Sequence, residues 1–400
     1  MTLSRRDVLI SASAATIGGL TIAQAQSTNL SATLPDKSSF GSMATTYLNS
    51  ASQHPISLST SKAVETYLSK RQMAPDAPSG SNSSTEPLEN FARIINADVD
   101  EVAYAQRTTA GEQMVVRGLG FPHVGGHIIT DEAHFPGSRS IYDGLAKMGV
   151  DVTRVPLRNF RIELEDIKKA LRPDTKLIAV SLIAMESGFE HDLKALCDIA
   201  HANGTLVYAD IIQAVGCLPI DVKASGLDFA ACSGYKWLMA DFGIGFVFAS
   251  KSAQERLHRT EFGSLGSGDD MLRDEFGYLK TATGKFALGT RSYTGVAMLK
   301  DSLKYLLDVG VDNIHAHNQM LVNRLKDELP EIGLMLHTHR DSKGPYVVAG
   351  APGVGAKIQP ALDRAAIKIS VYENRMRIAP SVFNDMDEIE HLISVLKSAV

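Results

Sequence analysis

An aspartate and a lysine follow two neighbouring apolar runs of the sequence. Asp210 comes directly after the run 205–209, and Lys236 closes a Ser-Gly-Tyr-Lys segment after the run 228–232. A buried lysine and a buried aspartate without a ligand are costly, because isolated charges are rarely tolerated inside a protein. Pyridoxal 5′-phosphate (PLP) needs both groups, since a lysine forms a Schiff base with its aldehyde and a carboxylate pairs with its protonated pyridine nitrogen. On these two residues alone, a PLP site and a structural ion pair are equally good interpretations.

Two further groups could hold the other parts of such a cofactor. Thr108 and Thr109 stand between the apolar run 101–105 and a helix-patterned stretch at 112–119, where hydroxyls and free backbone N–H groups form an anion site. The same threonines also fit an ordinary helix N-cap. His134 follows the next apolar run, where it could stack over a planar ring or be a plain loop histidine.

The order of these pieces, with threonines first and then histidine, aspartate and lysine, resembles the class V aminotransferase family. Within the fold-type I PLP enzymes, it is similar to the cysteine desulfurase and isopenicillin N epimerase-like branch. The resemblance covers the chain from Tyr47 onward, and its most specific stretch is 207–249, VYADIIQAVGCLPIDVKASGLDFAACSGYKWLMADFGIGFVFA. That stretch is similar to the family's pattern of Asp-x-x-Gln, then Ser-Gly-His/Tyr-Lys-Trp-Leu, then Gly-x-Gly-Phe.

The resemblance implies a role for four residues around the cofactor ring. Lys236 is expected to carry PLP as a Schiff base and later to shuttle the α-proton of the substrate. Asp210 is expected to pair with the pyridine nitrogen. Gln213 would hydrogen-bond the phenolic oxygen, and His134 would stack on the ring.

The resemblance also implies residues for the phosphate and the substrate. Thr108, Thr109 and Ser233 are expected to hold the phosphate. Gly289-Thr290 would reach the phosphate of the partner subunit, which implies a homodimer. Arg377 is expected to bind the substrate α-carboxylate in bidentate fashion.

These roles predict a PLP-dependent enzyme that acts on an α-amino acid or an amino-acid-like amine, and we favour transamination. A C–S lyase and an epimerase share the same first steps and stay open, as does a non-catalytic scaffold that only binds a ligand. A persulfide-forming desulfurase is disfavoured, because residues 338–376 hold no cysteine to act as its nucleophile. The three cysteines, Cys197, Cys217 and Cys232, fit small core positions.

The elements that must position these residues alternate between strands and helices. Apolar or β-branched runs predict seven strands, at 101–105, 126–130, 152–157, 176–183, 205–209, 228–232 and 243–249. Helix-patterned stretches lie between several of them, which predicts an α/β fold with a mainly parallel sheet. The resemblance implies the fold-type I PLP-dependent transferase fold, with a large domain around a seven-stranded sheet and a smaller C-terminal α+β domain. We predict an N-terminal arm at 26–60, the large domain at 61–293 and the small domain at 294–400.

Residues 1–25 resemble a twin-arginine signal peptide, with Arg5-Arg6, a mildly apolar stretch and the cleavage site Ala23-Gln24-Ala25. This pattern predicts export of the folded protein by the twin-arginine translocase to the periplasm, with no membrane insertion after processing. The formal net charge of −5 argues against a nucleic-acid partner. No metal site is expected, because no cysteine or carboxylate stands at ligand spacing around the His315/His317 and His337/His339 pairs.

Overall fold

The computed structural model describes residues 33–75, 84–263, 273–286 and 289–400. The predicted signal peptide, residues 1–25, lies outside these residues. None of the helices in the described ranges is long and apolar enough to cross a bilayer.

The described residues form thirteen strands, numbered here in chain order. They are β1 Thr46–Tyr47, β2 Val102–Ala105, β3 His127–Asp131, β4 Asp151–Val155, β5 Thr175–Ser181, β6 Leu206–Asp210, β7 Phe229–Ser233, β8 Gly245–Ala249, β9 Met335–Leu336, β10 Val347–Gly350, β11 Ile367–Lys368, β12 Ser370–Val371 and β13 Arg375–Ile378. Strands β2 to β8 form one seven-stranded sheet in the order β2-β8-β7-β6-β5-β3-β4. Only β8 runs antiparallel to its neighbours in this sheet. The predicted α/β fold with a mainly parallel sheet is confirmed, because each of the seven predicted runs supplies one of its strands.

Helices cover the sheet and link its strands. They are α1 Leu58–Met73, α2 Glu86–Ile94, α3 Thr108–Gly118, α4 Pro136–Lys147, α5 Leu164–Ala170, α6 Leu193–His201, α7 Val222–Ser225, α8 Lys251–Gln254, α9 Ala282–Phe286, α10 Tyr293–Val309, α11 Val311–Glu331, α12 Val354–Arg364 and α13 Met386–Lys397. Helix α6 shows how the sequence specifies one of them. The Asp192 side chain caps its N-terminus by accepting a hydrogen bond from the Ala195 N–H, and Leu196, Cys197 and Ala200 are buried on one face of the helix.

A second, smaller sheet lies in the C-terminal part of the chain, in the order β12-β13-β10-β9. Its core is shared with helices α11, α12 and α13. Helix α10 packs against α1 and α2 instead. The packing changes within α11, because Ile314 belongs to the core of the large sheet and Leu321 to the core of the small one. The predicted division between the large and small domains at residue 293 stays a prediction.

The parallel strands bring polar residues to one edge of the large sheet. Strands β3, β5, β6 and β7 end at Asp131, Ser181, Asp210 and Ser233, respectively. Because parallel strands end at the same edge, these four side chains lie on the side where open α/β sheets bind ligands.

Helix α3 approaches this edge closely because Gly111 has no side chain. A Cβ atom at Gly111 would lie 2.7 Å from the Ala231 Cβ on β7 and 3.5 Å from the Val247 Cβ on β8. The absence of a side chain at Gly111 therefore lets α3, which begins with Thr108 and Thr109, pack closely against β7 and β8.

We predict that Gly111→Ala destabilises the protein by about 1–3 kcal/mol, because the added methyl group overpacks the contact with β7. The control is Gly144→Ala, since the helical Gly144 has nothing within 4 Å of the added Cβ. That control should gain about 0.5–1 kcal/mol from helix propensity. Urea unfolding measures both variants, and equal stability of the two would contradict the close contact at Gly111.

Candidate active site

A cavity of about 660 Å³ opens at the carboxyl edge of the large sheet. Its lining includes six of the site residues predicted from the sequence: Thr108, Thr109, Asp210, Ser233, Lys236 and Thr290. These residues come from α3, from the ends of β6 and β7, and from the segment before α10. The fold therefore brings together residues that lie up to 182 positions apart in the chain.

Lys236 and Asp210 face this cavity and are nearly inaccessible, with 6% and 3% of their surface exposed. Burial lowers the pKa of Lys236 to about 8, although the Asp210 carboxylate opposes the shift. Burial raises the pKa of Asp210 to about 6, against the hydrogen bond from the Ile212 N–H and the charge of His134. Both groups are thus held at a cost, since each would be more stable in its charged form in water.

The far end of the cavity is suited to an anion. The Ser233 Oγ accepts a hydrogen bond from the Thr108 N–H at 3.0 Å and lies 3.1 Å from the Thr108 Oγ1. Thr108 and Thr109 begin α3, whose first turn holds no acidic residue. A helix N-terminus with hydroxyls beside it binds phosphate well, because its backbone N–H groups are unpaired and its dipole is positive.

Thr290 lies on the wall of the cavity of its own chain, beside Gly289 and Arg291. The Arg291 guanidinium sits 4.9 Å from the centre of the Tyr104 ring. The expectation that Thr290 reaches the phosphate of a partner subunit stays a prediction. In the single chain it faces the same cavity as Thr108.

His134 is placed differently from the expected stacking position. Its side chain is fully buried, with Nδ1 at 2.8 Å from the Ser181 Oγ and Nε2 at 2.9 Å from the Glu112 Oε1. Among the described residues, the lining of the cavity includes the neighbouring Phe135 and not His134. Hydrogen bonds at both nitrogens therefore hold the imidazole, and the Phe135 ring lines the cavity wall next to it in the chain.

Gln213 is also engaged by the protein itself. Its Nε2 donates to the Ala51 carbonyl at 3.1 Å, and its Oε1 accepts from the Trp237 Nε1 at 3.1 Å. The amide thereby ties the segment after β1 to the loop that carries Lys236. One amide hydrogen remains for the predicted bond to a phenolic oxygen.

Arg377, on β13, is a buried cation without a hydrogen-bond partner for two of its nitrogens. It is 4% exposed, and its Nε and Nη1 make no hydrogen bond within the described part of the chain. The guanidinium lies 5.4 Å from the centre of the Tyr346 ring, and its charge contributes to the lowered pKa of Lys236, after the larger effect of burial. A buried unpaired guanidinium is costly, so this position is suited to an anionic ligand group.

Sequence reasoning missed Glu112, Phe135 and the aromatic pair at the rim of the cavity. Tyr235 and Phe242 stack there with ring centres 4.3 Å apart. Glu112 could have been found, because it is an acid on the α3 face that also carries Gly111 and Val115 into the core. Phe135 gave no signal, since a single aromatic residue in a loop has no periodicity to read.

The histidine pairs considered for metal binding contact backbone or ring groups. His315 and His317 bond the Lys343 and Asn384 carbonyls at 3.2 and 3.0 Å. His337 stacks on Phe160. Within the described ranges, no group of three or more histidine, cysteine, aspartate or glutamate side chains is arranged for a metal ion.

PLP fits this arrangement of residues. A buried amine, a buried carboxylate and a phosphate-binding helix end converge on a cavity whose volume is typical of cofactor sites. The unpaired Arg377 guanidinium lies outside the cavity lining but near enough for its charge to act on Lys236. Lys236 would hold the aldehyde carbon, Asp210 the ring nitrogen, and Thr108, Thr109 and Ser233 the phosphate. The same donor set has no evident use without such a ligand.

Comparison with known proteins agrees with this fit. The family model "Aminotransferase class-V" matches residues 47–371. The chain is 26% identical over 352 residues to the uncharacterized aminotransferase YcbU of Bacillus subtilis, covering 87% of this chain and 92% of that protein. It is 30% identical over 242 residues to a probable cysteine desulfurase of Methanothermobacter thermautotrophicus, covering 60% of each.

Solved structures show the same fold at lower sequence identity. The cysteine desulfurase CsdA of Escherichia coli superposes with a TM-score of 0.77 at 20% identity, covering 91% of this chain and 97% of that one. The cystine C–S lyase C-DES, in complex with cysteine persulfide, has a TM-score of 0.78 at 19% identity, covering 89% of this chain and 98% of that one. The predicted fold-type I architecture is thereby confirmed.

We predict that Asp210→Asn makes the PLP-free protein more stable at pH 7.5, by about 1–3 kcal/mol, because burial opposes the charge on Asp210. The folded-state pKa of about 6 exceeds the ordinary value of 3.8, so the native state binds the extra proton between these values. The wild type therefore loses stability as the pH rises from about 4 to about 6, and the advantage of Asn should vanish near pH 4. Thermal unfolding across this range measures the difference.

The matched comparison is Asp228→Asn. The Asp228 Oδ2 accepts hydrogen bonds from the Val207 N–H and from His201 at 2.8 Å each, and the Asp228 carboxyl lies outside the cavity lining. Burial raises the pKa of Asp228 as well, but the two donors that share its Oδ2 oppose the shift, so this variant should gain less stability than Asp210→Asn at pH 7.5. An equal change of stability in the two variants would show that Asp210 is a structural residue.

Proposed function

The chain belongs to the class V aminotransferase family, whose members use PLP, and from that premise we propose that it transaminates an α-amino acid. The observation that carries the proposal is the buried, unpaired Arg377 guanidinium near Lys236. A guanidinium binds a carboxylate through two parallel hydrogen bonds. Its position selects substrates that carry a carboxylate beside the reacting amine.

PLP supplies a ring that accepts negative charge from the carbon next to the substrate amine. The residues of this chain would bind the ring and move the proton. Asp210 would bind the ring nitrogen with its carboxylate, whose Oδ1 accepts a hydrogen bond from the Ile212 N–H at 2.9 Å. The lowered pKa of Lys236 leaves a useful fraction of its Nζ neutral near pH 7.5, so that this amine can accept and return a proton.

The cysteines support transamination over a persulfide-forming reaction. Cys197, Cys217 and Cys232 are all buried, and burial raises the pKa of each thiol. A thiol of raised pKa is a poor nucleophile, because the thiolate is the reactive form. Among the relatives, the aminotransferase YcbU is matched over 92% of its length, while the probable desulfurase is matched over 60%. A C–S lyase remains the second candidate, since C-DES shares the fold.

The proposal extends to cellular location and assembly. We infer export by the twin-arginine translocase to the periplasm from Arg5-Arg6 and from the cleavage site at 23–25. Replacing both arginines by lysine should keep the full-length precursor in the cytoplasm, which fractionation measures. A precursor processed normally without the arginine pair would contradict the export route.

We also infer a homodimer from the resemblance of Gly289-Thr290 to a family element that serves the partner subunit, and light scattering gives the mass in solution.

We predict that Arg377→Gln raises KM for α-amino acids by about 100-fold, because a charge-assisted bidentate contact is worth about 3 kcal/mol. Amines without a carboxylate should lose nothing. The matched control is Arg375→Gln on the same strand, since that half-exposed guanidinium lies over the Tyr372 ring and 3.6 Å from Glu186. The control should change KM by less than about twofold.

The substrate panel decides the reaction type in the same experiment. PLP-loaded protein is incubated with α-amino acids and a keto acid acceptor, and keto acid, ammonia, sulfide and racemised product are measured. Transamination predicts a new keto acid and a new amino acid in equal amounts. Sulfide and ammonia without acceptor consumption would establish the C–S lyase instead, and no turnover with any amine would favour a ligand-binding scaffold.

A further inference from the structure

A carboxylate is buried beneath the cofactor cavity and takes no part in the roles described above. Glu112 lies on α3, one turn after Thr108, and its side chain is wholly inaccessible. It accepts hydrogen bonds from the Tyr142 hydroxyl at 2.7 Å, from the Ser138 hydroxyl and from the His134 Nε2 at 2.9 Å. Three donors from one loop and one helix thus converge on a single buried acid.

Polar and charged groups approach the imidazole of His134 from several elements. Glu112 faces it from α3, and Tyr142 faces it from α4 with ring centres 6.0 Å apart. Ser181, at the end of β5, bonds its Nδ1. The carboxylates of Asp131 on β3 and Asp210 on β6 lie near enough for their charges to act on it.

This arrangement places one proton on the His134 Nε2 and allows a second on Nδ1, which can donate to the Ser181 Oγ. An ionised carboxylate only accepts hydrogen bonds, so the His134 Nε2 must donate to Glu112. The hydroxyls of Ser138 and Tyr142 also donate to Glu112, so all three hydrogen bonds to this side chain suit a carboxylate acceptor. Burial opposes a charge on His134, but the nearby carboxylates, Glu112 foremost, outweigh it and raise the pKa of His134.

We propose that Glu112 is a positioning residue that keeps His134 positively charged, and that this charge keeps Asp210 ionised for the ring nitrogen of PLP. The proposal rests on PLP binding and does not depend on which reaction follows.

The charges act on Asp210 in opposite directions, which makes the proposal testable. Burial raises the pKa of Asp210, the charge of His134 lowers it, and Glu112 raises it by a smaller amount than His134 lowers it. The intact pair therefore favours ionised Asp210. Loss of both charges should raise the pKa of Asp210, whereas loss of the Glu112 charge alone should lower it.

The first test reads His134 directly in the PLP-loaded wild-type protein. Nuclear magnetic resonance of labelled histidine side chains follows the titration, and the signal missing from His134→Gln assigns it. The proposal expects His134 to remain doubly protonated at pH 7.5, above the ordinary titration range of histidine. A neutral His134 at pH 7.5 would overturn the proposal, and this result needs no variant of Glu112 to fold.

The second test compares Glu112→Gln with Glu101→Gln. Glu101 is also buried, and its carboxylate accepts from the Asp98 and Lys251 N–H groups, away from the cavity lining. In Glu112→Gln the amide can donate to the His134 Nε2, which favours the neutral imidazole. PLP affinity is measured by equilibrium titration from pH 5 to pH 8, with folding checked by circular dichroism.

We expect that the pH below which PLP affinity falls is higher in Glu112→Gln than in the wild type, by about half to one pH unit. Near pH 6, this variant should bind PLP up to about tenfold more weakly. Glu101→Gln should follow the wild type. A downward shift would show that Glu112 acts only as a negative charge, and an equal loss of affinity at every pH would show a structural role. Either outcome overturns the proposal, and neither tests the assignment of Lys236 or the reaction type.

Discussion

The burial of two opposite charges at one sheet edge is the constraint on which the rest of the structure depends. Asp210 and Lys236 are nearly inaccessible, and burial shifts the pKa of each toward its neutral form. A protein that served only its own stability would place apolar side chains there. A bound PLP would offset this cost, because its ring nitrogen would pair with Asp210 and its aldehyde carbon would bond to Lys236.

The elements around this pair divide the remaining tasks. Helix α3 brings its N-terminus to the cavity for the phosphate, and Gly111 lets it pack close to β7. The C-terminal sheet contributes Arg377, whose unpaired guanidinium is suited to the substrate carboxylate. Glu112 and His134 form a further layer beneath the cavity, where a buried ion pair acts on Asp210 through its charge. The site therefore depends on both sheets and on contacts well below its surface.

The sequence predicted the large sheet well because most of its strands, apart from the half-exposed edge strand β4, are buried on both faces and consist of apolar runs. Asp210 and Lys236 alone left a PLP site and a structural ion pair equally open, and the resemblance of the stretch 207–249 to the family favoured the PLP site. The orientation of His134 was not, since the hydrogen bonds that hold it come from Ser181 and Glu112, which are distant in sequence. The change of core within α11 has no sequence signal for a similar reason, because an amphipathic helix pattern does not say which sheet its apolar face contacts.

The central claim is that Lys236 is the lysine that carries PLP, and borohydride reduction tests it most directly. Reduction fixes PLP to the amine that holds it, and peptide mass analysis locates that amine. The chain offers a matched control in Lys326, which is 2% exposed but donates to the Ser342 carbonyl in the small-domain core. The account predicts the PLP mass on the Lys236 peptide, its loss in Lys236→Ala and its retention in Lys326→Ala. PLP fixed to any other lysine, or retained covalently in Lys236→Ala, would contradict it.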